Sequence, residues 1–171
     1  ALFQVLLQRN LEPHVIACSA LISACAKGEE WSRALTFLRE MQEHILEPNV
    51  ISFSAAISAC EKGAQWERAL NILAEMHEQS LEPGALSYNC AISACEKGKQ
   101  WERALFILAE MRQKDVEPDV ISYSAAISAC GKAEQWERSL AMLTDMLQQD
   151  LTLDVMSYSA IISACEKGEQ W

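Results

Sequence analysis

The stretch VISFSAAISACEKGAQWERALNILAEMHEQSLEPG, residues 50–84, decides the fold, because most of the remaining chain consists of near-copies of it. The cysteine in its first half recurs every 35 residues, and the tryptophan that follows recurs in step. The cysteines are Cys25, Cys60, Cys95, Cys130 and Cys165, and the tryptophans are Trp31, Trp66, Trp101, Trp136 and Trp171. A fixed period of this size predicts a stacked array of similar units.

Apolar spacing inside the quoted stretch predicts two helices per unit, because each set of apolar residues follows the i, i+3, i+4, i+7 pattern of one helix face. The first set is Phe53, Ala56, Ile57 and Cys60, and the second is Trp66, Ala69, Leu70, Leu73 and Met76. We expect Gly63 to end the first helix in the left-handed conformation. Pro83 is expected to stop the chain from continuing the second helix.

The register divides the chain into one continuous array. The second helix of a truncated unit is expected at residues 1–14, full units at 15–49, 50–84, 85–119 and 120–154, and the first helix of another truncated unit at 155–171. A single hairpin cannot bury both of its apolar faces, so the core should lie between neighbouring units. The expected fold is all-α, a solenoid of helical hairpins. Since the chain starts and stops inside the repeat pattern, we expect it to be part of a longer array.

Composition narrows the function classes. The chain of 171 residues is 50% hydrophobic and 22% charged, which is typical of folded proteins. It contains no apolar run of about 18 residues, so no membrane span is expected. Its formal net charge of −10, taken alone, argues against a nucleic-acid partner. The cysteines in register stand on a predicted buried face, so we expect reduced thiols.

The residues shared by the units resemble the pentatricopeptide repeat. The pattern is V-I-S-Y-S-A-A-I-S-A-C-x-K-x in the first helix, A-L-x-x-L-x-E-M in the second, and L-E-P-D at the close, over essentially the whole chain. The tetratricopeptide repeat is a weaker match, since its period is 34 and its tryptophan stands in the first helix. The resemblance implies a right-handed α-α superhelix that binds single-stranded RNA along its groove, one base per repeat.

The resemblance also implies which residues meet each base. The first base-reading position is held by Ser19, Ser54, Asn89, Ser124 and Ser159. The second, at the end of each unit, is held by Asn49, Gly84, Asp119 and Asp154. The aliphatic residues that would sandwich the base are Ile16, Ile51, Leu86, Ile121 and Met156.

The family's pairing rules imply a preference at each of these sites. The pair Ser19 and Asn49 would favour adenine, Asn89 and Asp119 uracil, and Ser124 and Asp154 guanine. Gly84 has no side chain, so weak or no selectivity is expected opposite Ser54. The implied core sequence is A-N-U-G, with the RNA running 5′ to 3′ as the chain runs from N- to C-terminus. An alternative stays open, because Asn or Asp before a helix is also a good N-cap.

One basic position is kept in all units, at the end of the first helix: Lys27, Lys62, Lys97, Lys132 and Lys167. The resemblance implies contact with RNA phosphates, although a lysine there also complements the helix dipole. Four to five such contacts predict a slope of log K against log salt of about −3. Glu61, Glu96 and Glu166 each stand beside one of these lysines and are expected to weaken phosphate attraction.

No catalytic constellation accompanies the repeat. The three histidines occupy dissimilar positions, and neither a zinc motif nor a phosphate-binding glycine loop is present. We therefore expect that the protein is not an enzyme and that it binds no cofactor, metal or small-molecule substrate. The resemblance implies an RNA-binding adaptor in organelle RNA processing, stability, editing or translation, in the chloroplast or mitochondrion, with other RNA-processing proteins as further partners. The alternative is a protein-binding helical scaffold, which the acidic charge and Gly84 favour.

Overall fold

A computed structural model describes residues 14–152 and 155–167, and across these ranges the chain forms nine α-helices of 13 residues each. The odd-numbered helices are α1 (Val15–Lys27), α3 (Val50–Lys62), α5 (Ala85–Lys97), α7 (Val120–Lys132) and α9 (Val155–Lys167). The even-numbered helices are α2 (Trp31–Glu43), α4 (Trp66–Glu78), α6 (Trp101–Gln113) and α8 (Trp136–Gln148). The helix predicted before His14, the residue Asp154 and the side chains of Met156 and Lys167 lie outside the description.

The helices stack in two rows. Each odd-numbered helix packs against the next odd-numbered helix along the chain, and each even-numbered helix packs against the odd-numbered helices before and after it. The odd-numbered helices therefore form a continuous layer, and the even-numbered helices form the second layer of the stack. The predicted all-α solenoid of helical hairpins is confirmed.

The core lies between units, as a single hairpin's two apolar faces require. Phe53, Tyr88 and Tyr123 occupy the same position in successive units, and each is completely buried. Burying an apolar side chain of this size contributes roughly 1.5–3 kcal/mol. Because the same contact recurs at each interface, the units stabilise one another along the stack.

The described cysteines in register are free thiols, and all but the partly buried Cys25 are fully buried. Cys60, Cys95 and Cys130 are fully buried and unbonded. Burial disfavours the thiolate and raises the pKa of each of these thiols to about 11. These groups therefore behave as small apolar core residues, as the sequence indicates.

The expected role of Gly63 is wrong. Its φ is −79°, and the left-handed residue is the next one, Ala64, with φ 53°. The Gln65 amide donates to the Cys60 carbonyl at 2.8 Å, so the helix closes one residue later than expected. The second helix ends in the same way at Ser80, with φ 56°, before the chain reaches Pro83.

Gly63 is instead required by a close approach between units. A Cβ atom at Gly63 would lie 2.3 Å from Cδ1 of Trp31, which opens α2 of the preceding unit. The same relationship joins Gly98 to Trp66 one unit further on. Trp31 and Trp66 therefore link adjacent units, and each lies against a glycine of the following unit.

Candidate functional site

A groove of about 390 Å³ runs across the layer of odd-numbered helices, between α1, α3 and α5. It is lined by residues from all three predicted classes: the aliphatic residues Ile51 and Leu86, the base-reading residue Ser54, and Lys27 and Lys62. The structure thus brings these five predicted residues together on one surface.

The aliphatic row is exposed wherever its side chains are described. Ile16, Ile51, Leu86 and Ile121 are between 62% and 81% exposed, although all four are large apolar residues. A row of apolar side chains left in water is typical of a binding surface. Ile51 and Leu86, which come from two successive units, line the same groove as Ser54.

Asn89 and Asp119, predicted to read one base together, already touch each other. The Asn89 Nδ2 group lies 3.1 and 3.0 Å from the two Asp119 carboxylate oxygens, across the boundary between units. The Asn89 Oδ1 atom accepts from the Ser122 hydroxyl at 2.5 Å. Asn89 is only 7% exposed, so its amide is largely committed to these internal bonds.

The serine at the first reading position is less open than expected. Ser19 is 4% exposed, and its hydroxyl contacts the Val15 carbonyl and the Ser52 hydroxyl, each at 2.7 Å. Ser54 makes the equivalent contacts with Val50 and Ser87 but is only half-buried. Ser124 is also half-buried, and Ser159 is exposed. The residues at this position therefore differ in solvent exposure: Ser19 and Asn89 are buried against the next unit, whereas Ser54, Ser124 and Ser159 are more exposed.

The residues at the ends of units serve as helix caps. Asn49 Oδ1 accepts from the Ser52 amide at 3.0 Å, and Asp119 Oδ1 accepts from the Ser122 amide at 2.9 Å within a capping box. Capping is thus a definite role of both residues. It leaves the second carboxylate oxygen of Asp119 directed toward Asn89, so a cap and a polar contact across the unit boundary coexist.

Sequence reasoning missed a row of buried serines at the third position of the units: Ser52, Ser87 and Ser122. The Ser52 hydroxyl lies 2.7 Å from Ser19 and 3.1 Å from Asn49, so it connects the two residues predicted to read one base. Ser122 connects Asn89 and Asp119 in the same way. The signal was present, because a polar residue repeating every 35 positions within an apolar helix calls for a buried hydrogen-bond partner.

Gly84 leaves the second of these interfaces incomplete. Ser54 and Ser87 bond to each other at 2.7 Å, but no side chain from the end of the unit joins them. A Cβ atom at Gly84 would meet nothing within 4 Å. This position is therefore open space rather than a close contact, in contrast to Gly63.

The lysine row is not uniform. Lys97 lies 2.5 Å from Glu61, and Lys132 lies 2.7 Å from Glu96. Among residues 14–152 and 155–167, no carboxylate lies within 4.0 Å of the Lys62 ammonium group. Two of the acidic neighbours expected to weaken phosphate attraction, Glu61 and Glu96, do face lysines, but each faces the lysine of the following unit.

A second groove, of about 490 Å³, lies between the even-numbered helices α4 and α6. The exposed ring of Phe106 lines it beside Glu67 and Glu110, and Glu110 bonds to His77 at 2.8 Å. This surface is separate from the lysine-lined groove.

Within the described residues, no group of three or more His, Cys, Asp or Glu side chains is placed to hold a metal ion. In the same part of the chain, none of the helices combines the length and the apolar character that crossing a bilayer requires.

Comparison with known sequence families gives two matches. A family described as the pentatricopeptide repeat domain matches residues 1–63 and 71–133. A family described as the PPR repeat matches residues 51–81 and 121–151. A search of the curated proteins found no match.

Several solved structures share the fold. The crystal structure of the pentatricopeptide repeat protein PPR10 from maize is 22% identical, with a TM-score of 0.74, over 99% of this chain and 24% of that one. PPR10 in complex with an 18-nt psaJ RNA element is 20% identical, with a TM-score of 0.76, over 98% and 25%. The PPR domain of Arabidopsis thaliana protein-only RNase P 1, in complex with tRNA, is 12% identical, with a TM-score of 0.78, over 88% and 79%. This chain thus spans about a quarter of the length of PPR10.

Proposed function

Because this chain belongs to the pentatricopeptide repeat family, we propose that it binds single-stranded RNA along the groove of the odd-numbered helices and reads one base at each boundary between units. The observation that carries the proposal is the shared groove, in which Ile51, Leu86, Ser54, Lys27 and Lys62 meet. Two solved relatives of the same fold were crystallised with RNA, PPR10 and the PPR domain of protein-only RNase P 1.

Each part of the groove supplies one kind of contact. The aliphatic side chains of successive units hold a base between them, since every base has an apolar face. The polar pair beneath it faces the Watson–Crick edge, which single-stranded RNA leaves open. The lysines at the ends of the odd-numbered helices meet the phosphates, so binding is sensitive to salt.

Asn89 and Asp119 illustrate how a base would be read. Asn89 both donates and accepts, whereas Asp119 only accepts when ionised. Uracil offers one N–H donor between two carbonyl acceptors, so it can exchange partners with the Asn89–Asp119 pair without leaving either residue unsatisfied. Since the free pair is already bonded internally, net affinity from this site is modest and discrimination matters more than strength.

We extend the proposal to the biological setting that the family resemblance implies. We place the protein among adaptors for RNA processing, stability, editing or translation in the chloroplast or mitochondrion, with the chemistry performed by partner proteins. For the four units here, the target is A-N-U-G. Asp154, which would help to read the guanine, lies outside the described residues.

A titration tests the proposal. Fluorescently labelled single-stranded RNAs that contain A-N-U-G are compared with scrambled RNA and with DNA of the same sequence, at several salt concentrations. We expect the A-N-U-G RNAs to bind most tightly and the unspecified second nucleotide to make little difference. Equal binding to all of them would contradict base reading.

A protein-binding scaffold is the second candidate function, and the exposed Phe106 ring in the groove between α4 and α6 favours it. The two candidates use different faces, so they respond to different substitutions. Phe106→Ala should leave RNA affinity unchanged but abolish binding of a protein partner that uses this groove. Lys62→Ala should weaken RNA binding and leave binding of that protein partner unchanged.

A further inference from the structure

Lys97 is held by the unit that precedes it. Its Nζ atom donates to Glu61 Oε1 at 2.5 Å and to the Glu61 carbonyl oxygen at 3.2 Å. The Ser93 hydroxyl donates to the same carboxylate oxygen at 3.2 Å. Glu61 is thus fixed between α3 and α5 by two groups of the next unit, and its side chain is only 17% exposed.

The arrangement repeats one unit further on. The Lys132 Nζ atom donates to Glu96 Oε1 at 2.7 Å, and the Ser128 hydroxyl donates to the same atom at 2.7 Å. The Glu96 side chain is also 17% exposed. Two successive interfaces therefore carry the same carboxylate, serine and lysine contacts, at residues 61, 93 and 97 and at residues 96, 128 and 132.

The repeat register explains why Lys62 differs. A lysine pairs with the residue 36 positions before it, which is Glu61 for Lys97 and Glu96 for Lys132. For Lys62 that residue is Ala26, which has no charge. Lys62 lines the groove beside Ser54, and in the described chain its ammonium group has no carboxylate partner.

We propose that Glu61 and Glu96 compete with RNA phosphates for Lys97 and Lys132, so that among Lys62, Lys97 and Lys132 the strongest phosphate contact is made at Lys62. This inference rests on the proposed function. A phosphate that approaches Lys97 must displace a carboxylate that already neutralises it, while a phosphate that approaches Lys62 displaces only water and counterions. The RNA is therefore anchored at the N-terminal side of the described array and held more loosely along the following units.

The test removes the carboxylate charge while keeping the side chain's shape. Glu61→Gln and Glu96→Gln keep an oxygen that can accept from Ser93 or Ser128. Glu67→Gln and Glu102→Gln are the matched controls, because they remove the same charge from exposed positions at the start of α4 and α6. Glu61→Ala is a second variant, since the first unit carries Ala26 at this position.

RNA affinity is measured for each variant as a function of salt. Glu61→Gln and Glu96→Gln should each steepen the slope of log K against log salt by about 0.7, because each frees one lysine. Affinity at a fixed salt concentration should rise roughly two- to fivefold, the range expected for release from a partly exposed ion pair. The gain from Glu61→Gln should disappear in the Glu61→Gln/Lys97→Ala double variant.

The two proposals fail in distinguishable ways. If the wild-type protein binds RNA through Lys62 but Glu61→Gln behaves like Glu67→Gln, the competition inference is overturned and the proposed function stands. If neither the wild type nor any variant binds A-N-U-G RNA more tightly than scrambled RNA or DNA, both the proposed function and the competition inference fail. A second measurement needs no RNA: mass spectrometry after amine acetylation should show Lys62 reacting faster than Lys97, and Glu61→Gln should raise the Lys97 rate. Equal rates for both lysines in the wild type would contradict the pairing.

Discussion

The Asn89 amide nitrogen lies 3.1 and 3.0 Å from the two carboxylate oxygens of Asp119, although the two residues are 30 positions apart and Asn89 lies in α5 whereas Asp119 precedes α7. Asp119 simultaneously caps α7 through the Ser122 amide. One residue thus both starts a helix and presents a charge to the preceding helix. The boundary between units is therefore a site where local structure and the proposed base recognition share the same atoms.

A polar side chain at Gly84, opposite Ser54, should add base selectivity at the second nucleotide without disturbing the fold. Gly84→Asp places a side chain where nothing lies within 4 Å of the Cβ position, next to the Ser54–Ser87 pair. We expect discrimination at the second nucleotide, with guanine preferred, since Ser and Asp also form the pair assigned to guanine. The new N-cap of α5 should raise the free energy of unfolding by a few tenths of a kcal/mol.

RNA titration with each base at the second position measures this effect. Gly84→Ala is the control, because it fills the same space without a polar group. Identical base preference in both variants would argue that the unit-end residue only caps the helix.

The contact between Trp31 and Gly63 should be sensitive to a single methyl group. In Gly63→Ala the new Cβ atom would start 2.3 Å from the indole ring, so the ring must shift. Because Ala133 stands at this position two units on, we expect a moderate loss, about 1 kcal/mol in the free energy of unfolding.

Gly28 is the matched control, since it has the same place in the first unit but only ordinary contacts around its Cβ position, the nearest at 3.6 Å. Urea denaturation of Gly63→Ala and Gly28→Ala should separate the two. Equal effects would mean that the glycine matters through the backbone rather than through the tryptophan.

The sequence was enough to predict the two helices of each unit, because the spacing of apolar residues within a helix is a local property. It did not predict the role of Gly63, since the partner Trp31 is 32 residues away and meets it only through stacking. The left-handed position fell instead on Ala64, a residue with no sequence signal for it. The lysine partners escaped for the same reason: Glu96 stands next to Lys97 in sequence, yet Lys97 bonds to Glu61.

The candidate site was predictable only in part. The positions of its residues came from the family resemblance, and five of these residues line one groove. The internal bonds of Asn89 and the buried row of Ser52, Ser87 and Ser122 depend on the distance between stacked helices, which the sequence pattern does not specify.

Stability should decline in alkaline solution. Burial raises the pKa of the Cys60 thiol from 9.0 to about 11, and of Cys95 and Cys130 likewise. A raised folded-state pKa means that the folded chain holds the proton more tightly, so its contribution is complete below about pH 9 and is lost as the pH rises through 11.

The free energy of unfolding should therefore fall between pH 9 and 11, as measured by urea titration under reducing conditions. The free energy of unfolding of a variant with alanine at Cys60, Cys95 and Cys130 should fall less steeply over this range. The same slope in both proteins would show that other groups dominate.

Removing Lys62 should weaken RNA binding more than removing Lys97. Lys62→Ala should lower the magnitude of the salt slope by about 0.7, the value for one phosphate contact on a single strand. Lys97→Ala should lower it less, because Glu61 already neutralises that lysine. The exposed Lys114 beyond α6 provides the control. Equal losses from all three would indicate a general effect of charge rather than a defined phosphate path.

Base preference at the third nucleotide of A-N-U-G tests the central claim most directly, in the wild-type protein and in Asp119→Asn. Asn caps a helix as well as Asp does, so stability should change little, while the second partner of the base gains a donor. We predict that the wild type prefers uracil and that Asp119→Asn moves the preference to another base. An unchanged preference, or a loss of thermal stability with no change in base selectivity, would contradict reading of the RNA by Asn89 and Asp119.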